Sequence, residues 1–168
     1  MNIFILDRDP AIAARMQCDK HVVKMPLESA QMLCTAHQVH GSKYHDSSSP
    51  FYRLAFKNHP CSIWVRENSA NYLWLYDHFK ALCAEYKFRY FRDHMSWLKL
   101  CDALATPPAG VPDDDVLTPF AQAMPDEYKN PDAVVAYRQY YVGEKYRFLN
   151  YRNRRRPVWL EDMLDAAA

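Results

Sequence analysis

The sequence predicts a mainly α protein, a compact single-domain helical bundle with a short extended segment at its N terminus. The chain has 168 residues, which is a usual size for one domain. It contains only 3 glycines, whereas strand-rich folds with many tight turns use more of them. Apolar residues also recur at helical spacing, most clearly over residues 69–90.

The N-terminal part of the chain predicts an extended segment followed by two helices. Residues 3–6 are a short apolar run, either a small strand or an extended arm. Asp9 precedes a proline and is a favourable N-cap, so a helix is expected over residues 11–17. A second helix is expected over residues 19–39, where Pro26 should kink it or split it in two.

The rest of the chain alternates predicted helices with loops. One loop, over residues 40–52, is polar and rich in serine, and another, near residues 105–119, is rich in proline and aspartate and expected to be mobile. The remaining predicted helices cover residues 58–65, 69–90, 94–104, 130–146 and 158–164.

Charge is unevenly distributed, although the net charge is only +1. Acidic residues dominate positions 105–135, and a basic C-terminal segment follows near positions 145–157. The basic segment predicts either an anionic partner such as nucleic acid, or ion pairs with the aspartates at 113–115. The sequence leaves these two interpretations open.

The cysteines and histidines predict no disulfide and no metal site. The five cysteines are odd in number and form no C-x-x-C pair, as expected of free thiols in a reducing compartment. His37, His40 and His45 have the closest spacing, but they match no zinc pattern, so no metal or other cofactor is expected. No apolar run reaches the ~18 residues of a membrane span. We therefore expect a monomeric cytoplasmic protein.

The most informative segment for function is residues 17–31. On a helix that turns about 100° per residue, its polar side chains share an arc of roughly 100°. These side chains are Gln17, Lys20, His21, Lys24, Glu28 and Gln31. A carboxylate and a neighbouring lysine can act together as general acid and general base, and a lysine of lowered pKa can form an imine. The alternative is an ordinary solvated face with one Lys24–Glu28 pair.

A second polar cluster covers residues 58–66. His59 could cap the next helix or point into a cleft, and Arg66 resembles part of an exposed face. Trp64 is more often a core residue than a platform for stacking bases. The arginines at 154–156 could bind phosphates by charge and by bidentate hydrogen bonds.

Spacing in the first half of the chain resembles a known family. The pattern consists of a D-x-H motif that ends at His21, a glutamate seven residues later at Glu28, and a long helix that ends near Arg89. It is similar to small, mainly phage-encoded proteins that resemble the pyrimidine-dimer DNA glycosylases of the endonuclease V type. The likeness is best over about residues 2–90.

This resemblance implies a helical protein that grips duplex DNA, bends it and processes a damaged or modified pyrimidine. Glu28 falls at the position of the family's catalytic glutamate, and His21 at that of a histidine near the DNA. The family's nucleophile is the α-amine of a small N-terminal residue, whose usual pKa near 8 suits imine formation at the sugar C1′. Here residue 2 is Asn, so Met1 is expected to be retained. The nucleophile is then the Met1 amine or Lys24, or the reaction is not glycosylic cleavage.

Three functional hypotheses follow. The first is a glycosylase, with or without lyase activity, acting on pyrimidines in double-stranded DNA. The second is a transferase that attaches an amino acid or amine group to a hydroxymethylated pyrimidine in phage DNA, inside an infected bacterial cell. The third is a non-catalytic DNA-binding module. Candidate catalytic residues are Glu28, Lys24 and His21; candidate substrate- or DNA-binding residues are Lys20, Asp19, Asn58, His59, Trp64, Arg66, Tyr151, Arg152, Arg154, Arg155 and Arg156.

Overall fold

The protein is a bundle of helices. The computed structural model describes residues 1–41 and 49–167, so the middle of the predicted serine-rich loop, with His45, lies outside the described residues. Within those two ranges the chain forms helices and no β-strand, which confirms the mainly α prediction. The helices are α1 (Pro10–Met16), α2 (Asp19–Val39), α3 (Pro60–Val65), α4 (Ser69–Tyr90), α5 (Met95–Leu100), α6 (Ala133–Lys145) and α7 (Val158–Ala166).

The two longest helices, α2 and α4, form the centre of the bundle. They pack against each other, and α4 also packs against α1. Helices α3 and α5 lie against α2, while α6 packs against α7. Large side chains from these elements fill a common core, which includes Trp64, Tyr72, Phe79 and Tyr137.

The N-terminal segment is an extended arm buried in the core. Residues 3–6 are at most 4% exposed. Gln17 Nε2 donates a hydrogen bond to the carbonyl of Ile3 at 2.9 Å, and Arg138 Nε donates to that of Leu6 at 3.0 Å. Side chains therefore satisfy backbone groups that a neighbouring strand would otherwise pair. This packing fixes the path of the chain from its first residues.

Local capping explains where several helices begin. Asp9 accepts hydrogen bonds from the amides of Ala11 and Ile12, both at 2.8 Å, as the sequence predicts. Asp132 caps α6 in the same way and accepts from the amide of Val134 at 2.9 Å. Each cap satisfies amides that have no partner inside the helix.

Two predicted helices differ from the observed ones. Helix α2 is continuous through Pro26, so the chain is not split there. A single missing amide is tolerated because α2 packs along its length against three other helices. The helix predicted over residues 94–104 ends at Leu100, and the turns that follow bring Leu104 into the core. The carbonyl of Leu104 accepts a hydrogen bond from the Tyr72 hydroxyl at 2.9 Å.

The loop over residues 105–119 lies against the beginning of α4. The amide of Ser69 donates to the carbonyl of Pro112 at 2.9 Å. Asn68 Nδ2 donates to the carbonyl of Val116, also at 2.9 Å. The mobility of this loop stays a prediction, but these bonds hold two of its carbonyls at the helix.

A buried ionic cluster joins α4 to the beginning of α2 and to the basic C-terminal segment. The fully buried Arg89 pairs with Glu85 at 2.8 Å and with Asp19 at 2.9 Å. Arg154 donates two hydrogen bonds to Glu85, at 2.9 and 2.8 Å. Arg154 thus pairs with α4 and not with the aspartates at 113–115, one of which accepts from Ser69 instead. Such clusters fix local geometry because removing one partner leaves a buried charge uncompensated.

Candidate active site

Three nitrogen groups surround the carboxylate of Glu28 on α2. The backbone amide of Asn2 donates to Oε2 at 3.0 Å, and the α-amine of Met1 lies 3.8 Å from the same oxygen. Lys24 Nζ lies 3.0 Å from the other oxygen, Oε1. Glu28 is only 7% exposed, so this carboxylate is held by the protein rather than by bulk water. The arrangement brings an amine and a carboxylate together at the chain terminus.

The first two residues are anchored by contacts of their own. Asn2 Nδ2 donates to the carbonyl of Ala123 at 2.8 Å, while its Oδ1 accepts from the amide of Ile3 at 2.8 Å. The Met1 sulfur accepts from the hydroxyl of Ser62 at 3.5 Å. Because the following residues are buried in the core, the terminus cannot move away without unpacking them. The sequence left open whether the amine reaches the site, and the structure places it there.

The main chain of Met1 keeps access to solvent. The Met1 side chain is 1% exposed, yet the residue as a whole is partly exposed. Its accessible surface therefore lies on main-chain atoms, while its side chain is anchored in the protein.

His59 lies at the start of α3, the helix that contacts Met1. It caps α3, and its Nδ1 accepts from the amide of Cys61 at 3.1 Å, while Ser62 on the same helix contacts the Met1 sulfur. Burial lowers the pKa of His59, and the positive charge of the N terminus lowers it further, while Glu28 acts in the opposite direction. The contacts bring together Met1, Lys24 and Glu28, and they place the helix that His59 caps against Met1.

His21 occupies a different environment from Glu28, although the two share the predicted polar arc. It is 7% exposed and stacks on Phe4 at a centroid distance of 4.1 Å. Its Nδ1 is hydrogen-bonded to the hydroxyl of Tyr141. Burial, followed by the charges of nearby lysines, lowers the pKa of His21 to about 3. His21 is thus a neutral, packed residue at neutral pH.

Three lysines contribute positive charge near His21. The charges of Lys145, Lys24 and Lys20 all lower the pKa of this histidine, and Lys145 Nζ lies 4.6 Å from the ring of Tyr140 on α6. Lys20 Nζ lies 4.6 Å above the ring of Phe148, which directs it toward the end of α6. This group is called the lysine cluster below. Sequence spacing connects Lys20 with Lys24, but only the fold adds Lys145 from the other end of the chain.

The predicted polar arc is only partly a solvated face. Gln17 is not on helix α2, because it is the C-cap of α1 and precedes α2; it is buried, and its Nε2 lies 3.1 Å from the Nε2 of His78. On α2, His21 and Glu28 are buried, while Val23 and Leu27 are 45% and 38% exposed. The interpretation of α2 as an ordinary solvated face is therefore incomplete, because two of its polar side chains lie in the interior.

Several candidate DNA-binding residues take structural positions. Trp64 is 2% exposed and packs edge-on against Trp74, so it is a core residue. Arg66 Nη1 donates to the carbonyls of Lys57 and Ser62, at 2.7 and 3.0 Å, which fastens α3 to the preceding turn. Asp19 pairs with the buried arginine of α4. These residues hold other parts of the protein in place and do not present free groups to DNA.

The remaining candidates lie nearer to solvent. Tyr151 donates to the carbonyl of Met16 at 2.9 Å, and burial raises its pKa. Arg152, Arg155 and Arg156 are exposed, and so is Asn58, at the turn before α3. The tail arginines lie beside the Glu85 cluster, whereas Asn58 is next to His59 and the chain terminus.

Two cavities in the described parts of the chain lie away from Glu28. One cavity lies between α1 and α4 and is lined by Lys80 and Asp77, and another lies beside Phe120 and Lys129; Glu28 lines neither. Over residues 1–41 and 49–167, no three metal-binding side chains come together. In the same ranges, no helix is long and apolar enough to cross a membrane.

A helical bundle that holds a terminal amine against a buried carboxylate has the groups required for nucleophilic chemistry through an imine. Comparison with known families gives one match. A family model described as pyrimidine dimer DNA glycosylase matches residues 1–99, more than half of the chain. The chain belongs to the pyrimidine dimer DNA glycosylase family. No curated protein and no solved structure matches it.

The matched region contains the whole amine–carboxylate site. It includes Met1, Lys24, Glu28 and His59 and extends to the end of α5. Helices α6 and α7, and with them Lys145, lie beyond it. The family match therefore covers the residues of this site, while Lys145 comes from the part of the chain beyond residue 99.

Proposed function

We propose that this protein is a DNA glycosylase that releases damaged pyrimidines from duplex DNA, with the N-terminal amine as nucleophile and an accompanying lyase activity. The observation that carries the proposal is the 3.8 Å separation between the Met1 amine and the Glu28 carboxylate. Membership in the pyrimidine dimer DNA glycosylase family supports the substrate class.

The proposed chemistry begins with the unprotonated amine. Its lone pair attacks C1′ of the damaged nucleotide, the glycosidic bond breaks, and the base leaves with the bonding electrons. Glu28 accepts a proton from the attacking nitrogen and stabilises the positive charge that develops at the sugar. The C1′–O4′ bond then opens as Glu28 gives its proton to O4′, which leaves an imine between Met1 and the open sugar. The lyase step removes a proton from C2′ and breaks the C3′–O3′ bond, so that the 3′ phosphate leaves by β-elimination.

The Met1 amine is a better candidate nucleophile than Lys24. An α-amine is intrinsically less basic than a lysine amine, so a larger share of it is unprotonated at neutral pH. The Lys24 side chain is 65% exposed, and its contact with Oε1 is an ordinary i, i+4 ion pair. We propose that Lys24 holds Glu28 in place and contributes positive charge toward the DNA.

The test of this function uses a duplex that contains a single thymine dimer. We expect cleavage of one glycosidic bond at the dimer, which leaves the base attached to its partner thymine, followed by strand scission at the resulting abasic sugar, without added metal or cofactor. A gain in the mass of hydroxymethylated DNA, with no scission of the dimer duplex, would instead identify the transferase. Binding without any chemical change to either DNA would identify the non-catalytic module.

The lysine cluster should contribute to the affinity for DNA. For every phosphate that the protein no longer neutralises, the slope of log K against log salt should become shallower by about 0.9. We expect Lys145→Ala to weaken binding of undamaged duplex and to reduce this slope by about that amount. Fluorescence anisotropy over a salt series measures both quantities.

Lys80→Ala is a matched control for the lysine cluster, because Lys80 is an exposed lysine on α4 that lines the cavity next to α1. It should leave the salt slope unchanged. Equal slopes for Lys145→Ala and the unmodified protein would show that the cluster does not bind phosphates.

A further inference from the structure

The segment from Tyr52 to His59 leads along the surface of α2 to the chain terminus. Gln38 Nε2 donates to the carbonyl of Tyr52 at 2.7 Å, and Thr35 Oγ1 donates to that of Ala55 at 3.0 Å. The segment therefore runs opposite to α2, from its C-terminal half toward its middle. It ends at His59, beside the proposed site.

Phe56 has two unusual properties within this segment. Its ring is largely in solvent, since the residue is 62% exposed. Its backbone has φ of 50°, in the left-handed region that a bulky side chain rarely adopts. The carbonyl of Phe56 accepts from the amide of His59 at 2.9 Å, so the turn that holds this conformation is joined directly to the site.

Folding alone does not explain an aromatic residue at this position. A glycine or asparagine would adopt the same backbone with less strain, and an exposed ring gains little from burial. Phe91 is a useful contrast, because it is also left-handed, with φ of 57°, and is 79% exposed. Phe91, however, terminates α4 and gives its amide to the carbonyl of Lys87 at 2.8 Å, which is the ordinary role of a left-handed C-cap.

Phe56 has exposed apolar and positively charged neighbours, which match the base stack and the phosphates of a duplex. Leu54, two residues earlier, is 54% exposed. The neighbouring Arg53 and Lys57 are exposed cations on the same segment. Proteins that open or kink DNA insert an apolar side chain between base steps while cations contact the adjacent phosphates. A protein partner would be an alternative occupant, but the position beside the proposed DNA chemistry favours the base stack.

The proposed reaction creates a need for such a residue. In a duplex the attacked C1′ is shielded by base pairing and stacking, so an enzyme of this kind must unstack or extrude a nucleotide. Another group must fill the space that the extruded nucleotide leaves in the stack, because otherwise the nucleotide returns to it. A side chain next to His59 is well placed to fill it while the amine attacks.

We propose that Phe56 inserts into the duplex at the lesion and stacks on the base next to the opened nucleotide. This inference rests on the proposed glycosylase function. It assigns a positioning role to a residue that is separate from the amine and the carboxylate, and it predicts that Phe56 is required only where DNA must be unstacked.

The test compares Phe56→Ala and Phe56→Trp with Phe91→Ala as the matched control. On a dimer duplex with 2-aminopurine opposite the lesion, where opening removes the stacking partner, we expect Phe56→Ala to lose the fluorescence rise on binding. It should also slow glycosidic bond cleavage by about 5- to 150-fold, the range that stacking of one base on an aromatic ring is worth. Phe56→Trp should retain both signals, and Phe91→Ala should behave as the unmodified protein.

A second substrate separates this role from the chemistry. A single-stranded oligonucleotide with an abasic site needs no unstacking, so Phe56→Ala should form the borohydride-trapped adduct there at the normal rate. Equal loss on both substrates, or no loss on the duplex, would overturn the role of Phe56. If the unmodified protein forms no trapped adduct at all, the proposed glycosylase function fails, whatever Phe56 does.

Discussion

Replacing Glu28 by glutamine should lower the rate of glycosidic bond cleavage on a dimer duplex by about 10²- to 10⁴-fold, the usual contribution of a positioned acid–base group. Glutamine has nearly the same shape, and its amide oxygen can still accept from the backbone of Asn2, which lies 3.0 Å from Oε2. The amide cannot accept a proton from the amine or carry a negative charge beside the developing sugar cation. Strand breaks counted after alkali treatment of single-turnover reactions measure the loss.

Glu161→Gln is a matched control for Glu28→Gln, because Glu161 is an exposed glutamate on α7, in the part of the chain beyond the family match. It should cleave the glycosidic bond at the normal rate and keep the thermal stability of the unmodified protein, whereas Glu28→Gln, which loses two ion pairs, is assayed below its own unfolding temperature. Cleavage by Glu28→Gln within about threefold of normal would remove Glu28 from the chemistry, since an acid–base group contributes far more than that.

The second large effect concerns the nucleophile. Borohydride reduction during the reaction with abasic DNA should trap the DNA on the Met1 amine, and acetylating that amine should abolish trapping. Acetylation turns the amine into an amide, which cannot form an imine. Peptide mapping of the trapped complex by mass spectrometry identifies the modified nitrogen.

Lys24→Ala distinguishes the two amines that lie at Glu28. It should still be trapped, because the Met1 amine remains 3.8 Å from Oε2, although weaker binding of DNA is expected. An adduct found on the Lys24 peptide, together with trapping that survives acetylation of Met1, would assign the chemistry to the lysine. If Met1 is removed, the new amine is that of Asn2, whose nitrogen lies 3.0 Å from the same oxygen.

The sequence was a good guide to those parts of the site that lie close together in the chain. The spacing of Lys24 and Glu28 on one helix predicts their ion pair, which the structure contains at 3.0 Å. The predicted grouping of His21 with them is less accurate. Angles around a helix do not say which part of the arc faces neighbours, and His21 faces Phe4 and Tyr141, which are close only in the fold.

The same distinction applies to the basic C-terminal segment. Its composition predicts an electrostatic role, but two of its cations serve different purposes. Arg154 binds the buried Glu85, whereas Lys145 joins Lys20 in the lysine cluster. Charge in the sequence does not reveal its partners, because those partners are more than 60 residues away along the chain.

By itself, the sequence determined the helices and most of their ends, through caps such as Asp9 and Asp132 and through the apolar stripe of α4. These signals are local, since each depends on hydrogen bonds or side chains within a few turns. Only the tertiary structure decided that the Met1 amine meets Glu28. That contact requires residues 3–6 to be buried in the core, and burial is settled by packing among distant elements rather than by any short pattern.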